Sequence, residues 1–257
     1  MLKFFDALFP LGRTNMAFRH TPRNAEEALQ IMDRYDVERS IVFHVVSRDS
    51  DVQQGNDALT GEVGQRLLPV WGYDPAYLIE ESAEDFLRRA AGHGVRAVMV
   101  NPCMRNIRLE KSIRLGELAA AMEAMRMPLY LAYWSQEAAD NMVDWYSLAE
   151  FCALYPNLPV IAWEWRARAN RPLFDALALA DNLHLIISSV WQAQSVDALC
   201  DTFGARRLLF SLGLPGLDPG SFQACVSYAA VSDSDKEAIA YTNMVHLLDG
   251  VTCGEVK

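Results

Sequence analysis

The chain reads as an α/β protein of the (β/α)8 barrel class, and three observations carry this. Short apolar runs alternate with helical patterns, eight such runs can be counted, and 257 residues is the usual length of one such barrel. With 51% hydrophobic and 22% charged residues, the composition supplies one large core. No low-complexity stretch or Pro/Gly-rich linker interrupts it, so residues 1–257 are expected to form a single domain.

The eight runs are 2–9, 40–46, 67–73, 95–100, 129–133, 160–165, 183–188 and 208–212. The clearest helix follows the first run. Asn24 caps it, Glu27 sits three residues on as a capping box requires, and Ala25, Leu29, Met32 and Tyr35 share one face. Phe86, Ala90 and the stop Gly92-His93-Gly94 describe another helix, which leads at once into the fourth run. The stretches 114–125, 144–154, 172–180 and 196–203 read the same way, and Ser234 with Glu237 predicts the cap of a last helix. Residues 50–65 are the weakest helix, because Gly55, Gly61 and Gly64 each disfavour a continuous one.

The net charge of -10 argues against nucleic acid or an anionic membrane as partner, since such binding rests on Lys and Arg neutralising phosphates. The apolar N-terminus is short and broken by Asp6, unlike a secretory signal. No uncharged run approaches the roughly 18 apolar residues of a membrane span. Cys103, Cys152, Cys200, Cys225 and Cys253 are scattered without a CxxC pair, which predicts free thiols and a cytoplasmic location. There is no Gly-x-Ser-x-Gly elbow and no Gly-rich phosphate loop.

Several segments resemble, in order, the amidohydrolase family that includes the aminocarboxymuconate-semialdehyde decarboxylase type of barrel. Phe5-Asp6-Ala7-Leu8-Phe9-Pro10-Leu11-Gly12 is similar to its Asp-x-His-x-His-x-Gly start, and Val70-Trp71-Gly72-Tyr73-Asp74-Pro75 to a third strand ending in Asp-Pro. Tyr155-Pro156-Asn157-Leu158 resembles the approach to its sixth strand. Phe203-Gly204-Ala205-Arg206-Arg207-Leu208-Leu209-Phe210 resembles the lead into its eighth, and 243–248 its closing helix.

The resemblance implies a divalent metal held by the His-x-His of strand one, a His from strand five, often a His from strand six, and an Asp after strand eight. Carried over, these positions fall on Leu8 and Pro10, Ala132, Glu164 and Gly213. Only Glu164 keeps a ligating side chain, whereas a zinc site wants three or four. No metal or other cofactor is therefore expected, nor the metal-activated water of the family chemistry.

What remains at the strand ends carries paired readings. Glu164, among Trp163, Trp165, Tyr133 and Trp134, is a desolvated general acid or base, or else the partner of Arg166, Arg168 or Arg13 in a salt bridge. His44 is its acid/base companion or a hydrogen-bonded core residue. Arg13 clamps a substrate carboxylate or is a plain surface charge. Tyr73, Asn101, Tyr133 and Ser188 read a small molecule by hydrogen bonds or satisfy loop backbone.

The aromatic excess of Tyr133, Trp134, Trp163, Trp165 and Trp191 suggests that the volume of a metal and its waters has been filled or made apolar. Three functions stay open. One is a barrel binding a small aromatic or acidic molecule at its C-terminal mouth. Another is a hydrolase or decarboxylase using Glu164 and His44, or a metal relocated to His44, Cys103 and Glu164. The last is a structural or regulatory subunit. Self-association as a homo-oligomer is also open.

Overall fold

β1 (Phe4–Leu11) is buried at all eight positions, as a strand must be when the barrel interior lies on one face and helices on the other. The computed structural model describes residues 2–14, 18, 21–76, 81–134, 143–164, 170–190, 192 and 194–252, without the side chains of 164 and 170. β1 pairs in parallel with β2 (Val37–His44), and β2 with the first half of β3 (Leu67–Pro69). After Val70, the second half of β3 (Trp71–Gly72) turns its pairing to β4 (Val98–Val100). Parallel pairing continues through β5 (Leu129–Tyr133), β6 (Val160–Glu164), β7 (Leu183–Ile186) and β8 (Leu208–Leu209). A hydrogen bond from Ala7 N to Phe210 O (2.8 Å) joins the last strand region to the first and closes the ring.

Strand alternation sorts the apolar residues into two layers. Phe5, Phe43, Met99, Tyr130, Trp134 and Trp163 belong to the interior cluster, which Met244 and Leu248 close from below. A larger cluster between strands and helices includes Phe9, Val42, Trp71, Val98, Leu131 and Ala162. The barrel is thus a packed core, as is usual for the class.

The helices are α1 (Ala25–Arg34), α2 (Val45–Asp49), α3 (Val52–Thr60), α4 (Ala83–Gly92), α5 (Ile113–Met125), α6 (Trp145–Leu154), α7 (Asn170–Leu179), α8 (Ser195–Phe203) and α9 (Pro219–Ser227). Asn24 accepts from Glu27 N (3.0 Å) as its sequence predicts, but Glu27 reaches past the box to Arg23 N (2.9 Å). The last helix starts two residues before the expected cap: Ser232, not Ser234, accepts from Asp235 N (3.1 Å). That helix runs as α10 (Asp233–Glu237), a π-helical turn (Ala238–Thr242) and α11 (Asn243–Asp249). Among the described residues no helix is long and apolar enough to cross a membrane, and Cys103, Cys152, Cys200 and Cys225 are free thiols. Cys253 lies outside them.

Helices α2 and α9 depart from the sequence reading, and α3, the weakest of the expected helices, spans Val52–Thr60. α2 begins where the second apolar run was expected to continue as strand, and α3 forms despite Gly55. Gly55 is the reason the two can touch. A Cβ there would lie 2.1 Å from Ser47 N, closer than atoms approach, so the entropic penalty of a helical glycine is outweighed by the contact it permits. Gly55→Ala is expected to lift α3 off α2 and lower stability by about 3 kcal/mol or more, measured by urea unfolding. Unchanged stability would show that the helices part at no cost.

Buried asparagines fasten the strands. Asn56 donates to Gly72 O (2.9 Å) and accepts from Gly72 N (2.8 Å), holding α3 against the second half of β3. Asn243 donates to Ala205 O (2.8 Å) and Leu208 O (2.9 Å) and so anchors the closing helix to β8. Each satisfies backbone groups that would otherwise be buried without partners.

Candidate functional site at the barrel mouth

In this fold chemistry sits at the C-terminal ends of the strands. The mouth begins at an irregularity in β1. Asp6 pairs with Ser40 but Phe9 with Val42, so three residues advance on β1 for two on β2. The bulge puts both Ala7 and Leu8 in the interior cluster and frees Leu8 N, which donates to Asp6 Oδ1 (3.0 Å). Leu212 N donates to Asp6 Oδ2 (3.2 Å), and Ser211 Oγ donates to Leu8 O (3.3 Å). Asp6 thereby ties the first strand to the segment after the eighth. Complete burial raises its carboxyl from 3.8 to about 6, against the lowering effect of those hydrogen bonds.

The resemblance places metal ligands at Leu8, Pro10, Ala132 and Gly213. Leu8 and Ala132 are interior apolar residues, and Pro10 carries no donor atom. Gly213 has φ +74°, and a Cβ there would come 3.0 to 3.1 Å from Leu217 and Phe222. Among the described residues no three His, Cys, Asp or Glu side chains come together. Leu8, Pro10, Ala132 and Gly213 thus offer no side-chain ligand for a metal.

Aromatic rings and a cation line this end instead. Trp134 and Trp163 stack at 5.8 Å with planes 15° apart, and both are buried. Register explains why Trp163 is on this side: it pairs with Ala132, another interior residue. From α2 the guanidinium of Arg48 lies 4.1 Å from the Trp134 ring centre and 5.2 Å from that of Phe43. Arg48 is only 1% exposed. Its Nε and Nη2 donate to Asp49, the latter at 2.7 Å, but among the described residues Nη1 has no partner.

The other expected site residues are dispersed. His44 Nδ1 accepts from Val46 N (3.3 Å), capping α2, while its ring abuts Gly12 so closely that a Cβ there would sit 2.6 Å from Nε2. Burial lowers its pKa, which favours the neutral ring. Asn101 donates to Trp134 O (2.7 Å) and accepts from Met104 N (3.3 Å), fixing two loops. Tyr73 packs on Phe86 at 4.9 Å, in the same outer layer as Tyr133. Arg13 is exposed, within electrostatic range of Glu27.

Ser188, in the turn after β7, is wholly buried, and among the described residues its Oγ has no partner. The Glu164 side chain lies outside the described residues, as do Trp165, Arg166, Arg168 and Trp191. Arg48 and Asp6, which the sequence reading did not select, bring the clearest chemistry. Arg48 stands just past the apolar run that ends in Val45-Val46, separated from it by Ser47, and that was the available signal.

No family model matches the chain, and no curated protein matches it by sequence. Solved structures match over nearly its whole length. A dihydroxybenzoic acid decarboxylase from Polaromonas sp. JS666, with bound manganese and the inhibitor 2-nitroresorcinol, aligns at TM-score 0.72 and 15% identity over 97% of both chains. The 5-carboxyvanillate decarboxylase of Sphingomonas paucimobilis aligns at 0.69 and 14%, covering 98% of this chain and 100% of that one. A putative amidohydrolase from Staphylococcus aureus aligns at 0.73 and 15%, covering 96% and 99%. The chain therefore shares the (β/α)8 barrel fold of these structures.

Proposed function

We propose that the barrel binds a small aromatic acid at its C-terminal mouth without a metal, through Arg48, Trp134 and Trp163. The observation that carries this reading is the buried Arg48 guanidinium, stacked on an indole, whose Nη1 has no acceptor among the described residues. A buried donor without a partner costs on the order of 1–3 kcal/mol. An anion that accepts from it recovers that energy, and stacked aromatic side chains favour a flat body beside the charge. The carboxylated aromatic substrates named for two of the structural neighbours have this chemistry. Ser188 Oγ, which has no partner among the described residues, supplies a further polar contact within the mouth region.

A second reading, a packed scaffold without a ligand, draws on the burial of the Trp134–Trp163 stack. Calorimetric titration with 2,6-dihydroxybenzoate after chelator treatment separates the two. Saturable binding is expected, weakened about tenfold to a hundredfold by Arg48→Met, which keeps the bulk and removes the donor. Equal affinity in that variant overturns the role of Arg48. Close to one tightly held Zn, Mn or Fe per chain in protein purified without chelator overturns metal independence. Absence of any binding favours the scaffold.

A further inference from the structure

The opposite, N-terminal end of the barrel holds a cavity of about 290 Å³, at the small end of the size range of ligand sites. Its apolar wall comes from Ile41 and Leu68 on the strands and from Val245 and Leu248 on α11. Two arginines flank this wall, Arg39 from the start of β2 and Arg96 just before β4. Arg39 lies over the Phe5 ring, 5.4 Å from its guanidinium carbon. Arg96 Nη1 reaches Leu248 O at 3.5 Å.

Among the described residues neither arginine has a carboxylate within salt-bridge distance. The nearby Glu38 carboxylate is engaged by Lys3 (2.8 Å) and the Tyr241 hydroxyl (3.1 Å). The arrangement therefore pairs two forked cations with an apolar chamber. Asp249, at the rim, disfavours a second negative charge.

We infer that this end of the barrel is a second binding site, separate from the mouth, for a small carboxylate with an aliphatic body. The carboxylate lies between Arg39 and Arg96, and the hydrocarbon lies on Ile41, Leu68, Val245 and Leu248. A single charge distinguishes this ligand from a phosphate ester, which Asp249 repels more strongly.

Sodium octanoate is the probe, titrated by calorimetry into the full chain. Saturable one-to-one binding is expected, with octanoate preferred over 1-octanol and over octyl phosphate by about tenfold or more. Arg39→Met and Arg96→Met should each weaken octanoate about tenfold or more, while Arg48→Met leaves it unchanged, so failure of the mouth reading does not touch this one. Arg96 is exposed, so its variant tests the site even if the Arg39 variant fails to fold. No saturable binding at millimolar octanoate, equal affinity for 1-octanol, or affinity indifferent to both arginine variants overturns the inference.

Discussion

Replacing Asp6 by alanine is expected to lower stability by about 4 kcal/mol near pH 4.5, and by about 2 kcal/mol near pH 8. The loss arises because Leu8 N and Leu212 N are both left without an acceptor at a buried junction of the first and last strands. The difference between the two pH values comes from the carboxyl itself. Its folded value of about 6 lies above the ordinary 3.8, so the fold holds a proton that the unfolded chain releases. That contribution is complete below 3.8 and disappears as pH rises through 6, a change of roughly 2 kcal/mol between the two conditions. Urea unfolding of both proteins across this range measures it. A difference that grows with pH would mean that the buried carboxylate is stabilised, not penalised, by its surroundings.

Trp134→Ala is expected to cost roughly 4 kcal/mol, the order found for removing a buried indole. The loss combines apolar burial, the stack on Trp163 and the contact with the Arg48 guanidinium. Trp134→Phe retains a ring and should cost about half as much. The cation contact can be isolated in a double-mutant cycle with Arg48→Met, where a coupling of about 1–2 kcal/mol is expected. Additive effects in chemical denaturation would show that the indole and the guanidinium are merely neighbours.

The strands were legible because a parallel strand buried on both faces leaves a continuous apolar run, as in 129–133, which matches β5 at both ends. Runs that end in a helix were less legible. Val45 and Val46 continue the apolar pattern of β2, yet the backbone turns into α2, capped by His44. α9 was missed although Asp218 and Pro219 are an N-cap followed by a proline at the first helical position. The absence of ligating side chains at Leu8, Pro10, Ala132 and Gly213 needed only the resemblance, because it depends on residue identity alone.

The content of the mouth depended on geometry that identity does not encode. Arg48 becomes notable only when α2 folds its guanidinium onto the ring of Trp134, a residue distant in sequence. Asp6 acquires its burden only when β1 bulges and the ring closes against 211–212. Trp163 enters the interior because it shares the inward register with Ala132, a placement set by pairing between strands.

The π-helical turn at Ala238–Thr242 has a consequence for changes in chain length. One added residue in an α-helix rotates everything beyond it by about 100°. Here Ile239 and Ala240 belong to the outer layer, while Met244 and Leu248 belong to the barrel floor. The helix serves two cores because of that rotation, so its vulnerable property is phase. Deleting a single residue from the turn would restore regular winding and swing the floor residues away from the strands, whereas exchanging one side chain for another of similar size leaves the phase intact. Sequences built on this scaffold should therefore vary in residue type along this segment but hold its length fixed.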